Sequence, residues 1–268
     1  MQNDSQNTIF VAQYNNVQHY ILNAMNSNVM TNDTFKISLR RAAIIAGCAL
    51  ILMAVAAGFS YGFVMTSLIV SGDAATTFRN IQASESLFRG GIGGFLFVLL
   101  CDIVVTWALY IFLKPINKSL SLLAAWFRLV YSAILGAALL QLVIAARLVH
   151  GSDYLAASGA VHVQAQTMLL LNGFNDLWAM SLVVFGCHLL VLGYAVFLSG
   201  SMPKILGVLL FVAGLCYVGS NFAHILLPNY DNYKANVDMV LSLPEVLGEL
   251  GFGIWLLLRG GKKDALTS

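Results

Sequence analysis

Charge is what this sequence has least of. Only 10% of its 268 residues are Asp, Glu, Lys or Arg, while 59% are hydrophobic, and the mean hydropathy is +0.81. Soluble domains average about 25% charged residues. A chain this poor in charge has too little polar surface to face water on all sides, which excludes a soluble globular enzyme. Cysteine is scarce as well. Cys48, Cys101, Cys187 and Cys216 each sit in an apolar run, and no C-x-x-C spacing exists. A disulfide scaffold is thereby excluded, and the four read as small buried apolar residues rather than a metal set. A strong field of either sign is also missing. The formal charge is +2, and the densest basic clusters are Arg40-Arg41 and Lys262-Lys263. Neither nucleic-acid binding nor a polybasic lipid-binding segment is expected. The apolar content rules out disorder. Residues 1–35 are polar and Asn-rich, with no basic start leading into an apolar stretch, so no cleaved signal peptide is expected and the first hydrophobic segment reads as a span.

What the sequence does contain is long apolar runs. A bilayer core of roughly 30 Å takes about 20 apolar residues per helix. Six segments qualify: Ala42 to Thr66, Gly91 to Leu113, Leu122 to Ala146, Gly173 to Leu198, Ile205 to Leu227, and Val240 to Leu258. Lys114-Pro115, Ser199-Gly200 with Pro203, Pro228 and Arg259-Gly260-Gly261 end four of them. The expected fold class is all-α, a polytopic membrane bundle of six transmembrane helices. Residues 1–38 form a cytoplasmic N-terminal segment, 39–260 the transmembrane domain, and 261–268 a cytoplasmic tail.

Positive charge predicts the orientation. With both termini cytoplasmic, the inside carries Lys36, Arg40, Arg41, Lys114, Lys118, Lys204, Arg259, Lys262 and Lys263, and the outside Arg79, Arg89, Arg147 and Lys234. Nine against four follows the positive-inside rule. Two further segments have pattern without spanning. Phe10, Tyr14, Val17, Ile21 and Met25 recur at steps of three and four, predicting an amphipathic helix over 9–25. It lacks the Lys and Arg of membrane-surface helices, so a place on the protein's own inner face is favoured. Residues 154–171 predict a short helix at the outer interface. Spans one to three and four to six share no alignable motif, which gives an inverted repeat weak support.

The fourth and fifth spans read FGCHLLVLGYAVFLSGSMPKILGVLLFVAGLCYV. Phe185, Gly186, His188, Leu189, Leu190, Gly193, Tyr194, Ser199, Gly200, Pro203, Leu206, Gly207, Ala213 and Gly214 in this stretch resemble the pattern of a bacterial six-helix membrane family, domain of unknown function 4386. Arg128 in WFRLVYS and Glu249 in LGELGFGIWLLLRG also look like that family. The resemblance covers roughly residues 40–260, leaving out the Asn-rich N-terminus. It implies a bacterial inner-membrane protein, and it implies no activity.

Ionisable groups at the bilayer centre cost about 2.5–3.5 kcal/mol each on insertion scales. Asp102, His188 and Glu249 fall near the middle of spans two, four and six. Arg128 in span three starts about 9 Å inward of centre, with a side chain long enough to reach the midplane or snorkel away from it. Set separately in lipid, the four would cost on the order of 10 kcal/mol, so mutual pairing inside the bundle is expected. As a functional site, Asp102 or Glu249 would hold a proton or cation, Arg128 would be a counter-ion or anion clamp, and His188 would titrate or donate a hydrogen bond. As a structural device, the same groups would be an ion pair and a bonded His that fix helix register.

A second polar set lies toward the outer face: Arg89, Arg147, His150, His162, Asp176, Asn221, His224 and Glu245. Arg89, Arg147, Asp176, Asn221, His224 and Glu245 would form a vestibule to the deep site, or else ordinary interfacial polarity. Glu245 and Glu249 are four apart and share a helix face. No His pair has ligand spacing, so no metal is expected. Gly90 with Gly94, Gly47 with Ala54 and Gly58, and Gly186 with Gly193 put small residues on recurring faces, where helices can approach closely. No Lys lies within a span, so no retinal Schiff base is available. His188 and His224 lie some 15–20 Å apart in depth, too far to share a haem. No hydrolase motif stands out. No cofactor is expected.

Three functions compete. The first is a small-solute or proton- or ion-coupled transporter using Asp102, Arg128, His188 and Glu249, expected to dimerise because six spans are few for alternating access. The second is a membrane-embedded enzyme or a protein binding a small-molecule, lipid or quinone ligand. The third is a structural or regulatory partner without chemistry, its N-terminal helix being the contact surface. The lipid bilayer is a partner in all three, and nucleic acid in none.

Overall fold

The computed structural model describes residues 17–19, 37–151, 159–228 and 230–261. Contacts divide the chain into Met1–Ser38 and Leu39–Ser268. In the first unit, residues 17–19 are helical and exposed. The rest of the helix expected over 9–25 lies outside the described residues.

The second unit has helices as its regular structure, with no strand among its described residues. Its helices are α1 (Leu39–Leu68), α2 (Ala74–Ala83), α3 (Glu85–Leu113), α4 (Lys118–His150), α5 (Ala160–Leu198), α6 (Lys204–Leu226) and α7 (Asp231–Leu258). Six of them are long and apolar enough to cross a membrane, α7 by its stretch Met239–Leu258. The chain is a multi-pass membrane protein. Each spanning helix packs on its neighbour in sequence, α1 on α3, then α3 on α4, α4 on α5, α5 on α6 and α6 on α7, and α7 closes back onto Leu39–Ala57 of α1. The six form a ring.

Where that ring closes, Arg40 near the start of α1 donates from Nη1 to the carbonyls of Leu256 (3.1 Å) and Gly260 (2.9 Å), and from Nη2 to Leu257 (2.5 Å). Helical N–H donors run short at the end of α7, and the guanidinium adds donors to its terminal carbonyls. The start of α1 and the end of α7 therefore share one side, here called the near side. The opposite end is the far side.

Helix boundaries follow local chemistry. The Asn117 side chain caps α4 by accepting from Leu120 N, and Asp73 caps α2 by accepting from Thr76 N. Leu227, extended as residues before proline tend to be, ends α6 ahead of Pro228. Within α1, Gly58–Met65 winds as π-helix. Thr66 Oγ1 donates to the carbonyls of Gly62 (2.7 Å) and Phe63 (3.2 Å), occupying acceptors that the wider turns leave exposed.

Four expectations change. Among the described residues of the segment 154–171 there is no separate short helix, residues 154–158 lying outside them. From Ala160 onward it is the first three turns of α5, because buried Val163, Thr167, Leu171 and Phe174 stay on one face at helical spacing past Gly173. The stretch 67–90, which the apolar runs leave between spans one and two, contains α2 and the start of α3, and α2 lies against α4 and α5 through Thr77, Phe78 and Ile81. The last helix starts at Asp231 and runs through Pro244. Gly58 and Gly90 face open space, whereas Gly91 and Gly94 lie against Val64 and Ser60 of the π segment. A close backbone-to-backbone approach joins α5 to α6. A Cβ added at Gly193 would stand 2.7 Å from the Gly207 carbonyl, and one at Gly214 2.8 Å from the Gly186 carbonyl.

Candidate functional site

At a rise of 1.5 Å per residue, Asp102, Arg128, His188 and Glu249 stand about 14–16 Å from the near-side ends of α3, α4, α5 and α7. α3, α4 and α5 are consecutive in the ring, and Glu249 of α7 joins their groups at the same depth through a cavity that it shares with Arg128. Arg128 is the hub. It does not snorkel: its side chain is 1% exposed, against 0% for Asp102. Nη2 donates to Asp102 Oδ1 at 2.6 Å and also meets Met53 Sδ at 3.7 Å. Nη1 donates to His188 Nε2 at 3.3 Å. The guanidinium carbon lies 5.3 Å over the ring of Phe185, a cation–π contact strengthened by the dry surroundings.

The hydrogen bonds around His188 fix its tautomer. Nδ1 lies 2.8 Å from the Ala124 carbonyl, which only accepts, so Nδ1 carries the hydrogen. Nε2 faces Arg128, which only donates, so Nε2 presents its lone pair. His188 thus ties Arg128 to the backbone of the helix that bears it. Hydroxyls one turn on pin the two charged turns further: Thr106 Oγ1 donates to the Asp102 carbonyl (2.7 Å), and Ser132 Oγ to that of Arg128 (2.9 Å).

Glu249 completes the set from α7. It makes no direct bond to Arg128; its Oε1 accepts from the Tyr217 hydroxyl at 2.9 Å. Arg128 and Glu249 line one small cavity of about 10 Å³ with Leu50, Leu109, Leu189, Leu192, Leu210 and Phe252. That is near the least volume that holds one water. Two atoms at the hub have no hydrogen-bond partner in the structure, Asp102 Oδ2 and Arg128 Nε. The centre therefore contains one guanidinium, two carboxylates and a neutral imidazole, with donor and acceptor capacity still open. Chemically it can exchange a proton, or hold a water or small polar group against Arg128.

The outer set separates into two places. On the α3–α4 side, Arg89 Nε donates to Glu85 Oε1 at 2.7 Å, and His150 Nε2 lies 3.1 Å from Glu85 Oε2. Arg89 and Arg147 are exposed there. In the same far-side half of the ring, buried Phe88, Phe95, Leu142 and Phe174 belong to one apolar core. On the α5–α6–α7 side, His224 Nε2 stands 3.7 Å from Asp176 Oδ1, Asn221 Nδ2 donates to the Tyr217 carbonyl at 2.8 Å, and Glu245 lies near enough to Tyr217 to act on it electrostatically. These four stand on the same side of the ring as Glu249. His162, nearer the start of α5, contacts Gln166.

Sequence reading missed Tyr217, Met53, Phe185, Tyr131 and the Ala124 carbonyl. Tyr217 and Tyr131 carried a signal: a hydroxyl within an apolar run wants a buried partner. Tyr131 stands beside Asp102 and packs on Phe185 at 4.8 Å. Met53 and Phe185 looked like any other apolar residue of a span.

Comparison with known proteins places this arrangement. The model of DUF4386, a domain of unknown function, matches residues 45–260. The chain belongs to this family. The matched stretch contains all four midplane residues and leaves out Arg40. An uncharacterized protein of Archaeoglobus fulgidus is 30% identical over 177 residues, 66% of this chain and 88% of the relative. No solved structure matches.

Proposed function

We propose that this DUF4386 protein is a proton- or ion-coupled transporter of small solutes, with Glu249 as the group that takes and releases the proton. One observation carries the reading. Among the described residues one fully buried Arg or Lys, Arg128, is bonded to Asp102, while the second carboxylate, Glu249, has a hydroxyl for its partner and faces Arg128 across a cavity the size of one water. A register-fixing ion pair needs one carboxylate. The second would leave an uncompensated negative charge in a medium that disfavours it, unless it carries a proton. Proton loss from Glu249 creates a competitor to Asp102 for the same guanidinium, whose Nε is unoccupied. Arg128 is then the element two protonation states place differently, which is what coupling requires.

The inner, cytoplasmic membrane is the proposed location, with the near side cytoplasmic. Arg40, Arg41, Lys114, Lys118, Lys204 and Arg259 gather at near-side helix ends, and Arg79, Arg89 and Arg147 toward the far side.

The test is labelling with dicyclohexylcarbodiimide, which enters membranes and reacts with protonated carboxyls. Purified protein is labelled across a pH series and the adduct mapped by mass spectrometry. Labelling at Glu249 that falls as pH rises supports the reading. Absence of a Glu249 adduct at every pH overturns it.

A further inference from the structure

The polar groups around Glu249 are distributed unevenly along the membrane normal, and the imbalance runs in one direction. Toward the far side, along the α6–α7 seam, a polar group follows about every turn. Measured from the near-side helix ends at 1.5 Å per residue, Glu249 stands at about 14 Å, Tyr217 and Glu245 at about 20 Å, Asn221 at about 26 Å, His224 at about 30 Å and Asp176 at about 33 Å. Contacts join some of these members in pairs. Tyr217 donates to Glu249, Asn221 bonds the Tyr217 carbonyl and meets Ser220 Oγ at 3.3 Å, and His224 faces Asp176, whose side chain is 72% exposed at the outer end. Pro244 sits in α7 one residue before Glu245. Lacking an N–H, it leaves the Val240 carbonyl without its helical donor, a further acceptor on the same half-helix.

Toward the near side the surroundings reverse. Leu50, Leu109, Leu189, Leu192, Leu210 and Phe252, from α1, α3, α5, α6 and α7, share the lining of the Arg128–Glu249 cavity. Leu109, Leu192, Leu210 and Phe252 stand about 6–9 Å from the near-side ends, nearer than Glu249, while Leu50 and Leu189 stand at about its depth. A water crossing this layer would find no polar partner, so the layer is a barrier to water and to protons carried by it.

We infer that Glu249 exchanges its proton with one side only, the far side, through a half-channel formed by Tyr217, Glu245, Asn221, His224 and Asp176 between α6 and α7. This rests on the reading of Glu249 as the proton-carrying group. The groups that face Glu249 are Tyr217 of α6, Arg128 and Tyr131 of α4, Asp102 of α3 and, one turn along its own helix, Glu245. Of these, Tyr217 and Glu245 lie on the far-side path, while Arg128 and Asp102 stand at the depth of Glu249 in the ring interior. A conformation in which the leucine layer parts would open the opposite exit, and the structure has the layer closed.

One-sided chemical access tests the inference. Asn221→Cys and Leu192→Cys are each reconstituted in sealed vesicles of known orientation. A membrane-impermeant methanethiosulfonate is applied from one side or the other, and labelling is mapped by peptide mass, the native cysteines serving as internal references. Expected is modification of Asn221→Cys from the far side alone and of Leu192→Cys from neither. Modification of Leu192→Cys from the near side, or none of Asn221→Cys from the far side, overturns the half-channel. A measurement on the unaltered chain guards against misfolding. A water-soluble carbodiimide with glycine ethyl ester should couple to Glu245 from the far side and not from the near side, and the reverse pattern sinks the inference. If carbodiimide labelling of Glu249 responds to pH while these probes find no far-side access, the half-channel falls and the proton reading stands. If access is one-sided and Glu249 never labels, the polar file exists without the proton site.

Discussion

Asp102 Oδ1 and Arg128 Nη2 meet at 2.6 Å in the ring interior, with side chains 0% and 1% exposed. Removing one partner from such a pair strands the other charge, which typically costs 3–5 kcal/mol, about what a modest domain has to spare. Replacing both strands neither. Asp102→Asn and Arg128→Gln should each lower the melting temperature in detergent sharply. The double variant should be more stable than the summed losses predict, by more than about 0.5 kcal/mol. Additive losses would mean that the two groups are not coupled.

His188 donates through Nδ1 to Ala124 and accepts through Nε2 from Arg128. Glutamine can both donate and accept, whereas leucine can do neither. His188→Leu should therefore destabilise by about 1–3 kcal/mol, the cost of leaving buried polar groups unsatisfied, and His188→Gln by clearly less. In the parent protein, nitrogen-15 spectra of the imidazole should show Nδ1 protonated and Nε2 bare. The opposite tautomer would contradict the bonding pattern.

Much of this was legible in the sequence because hydropathy and rarity are one-dimensional signals. Six apolar runs read as six helices, and Asp102, Arg128, His188 and Glu249 stood out because each is ionisable within such a run. Their common depth followed from counting residues. Contact is another matter, because it depends on the rotation of each helix and on ring order. Hydropathy cannot say that Arg128 reaches Asp102 and His188 while Glu249 takes Tyr217. Nor could it divide the polar residues of the far-side half, putting Arg89 and Arg147 with α3 and α4 and Asn221, His224 and Glu245 with α6 and α7. Helix length escaped for a related reason. The first turns of α5 alternate polar and apolar residues, and their continuity lies in the buried face of Val163, Thr167 and Leu171, not in mean apolarity.

The α5–α6 seam makes a packing prediction with its own control. At Gly193 an added Cβ would lie 2.7 Å from the Gly207 carbonyl and 2.8 Å from Phe211 N, both of them backbone. Backbone cannot rotate aside, so Gly193→Leu must force the helices apart. Overpacking of this kind costs roughly 1–3 kcal/mol or more, and thermal unfolding in detergent should show it. Gly90 meets nothing within 4 Å. Gly90→Ala should be neutral or slightly stabilising, since alanine favours the helix by about 1 kcal/mol. Equal effects at the two positions would refute the close approach.

Asp73 supplies a pH response away from the membrane-spanning helices. Its carboxylate accepts from Thr76 Oγ1 at 2.6 Å and Thr76 N at 2.9 Å, and Arg79 stands nearby. These interactions, led by the Thr76 hydroxyl, favour the ionised form and hold Asp73 below its usual value of 3.8. The sign follows from linkage. A group whose folded pKa is depressed contributes fully above its unfolded value, and the contribution is lost as pH falls through the folded value. The cap on α2 should thus be constant at neutral and mildly acidic pH and weaken only below about pH 4. Amide exchange at Thr76, corrected for the intrinsic rate, should quicken there in the parent. Asn still caps but does not ionise, so Asp73→Asn should flatten that response while leaving α2 folded. An unchanged acid response in Asp73→Asn would place the titrating group elsewhere.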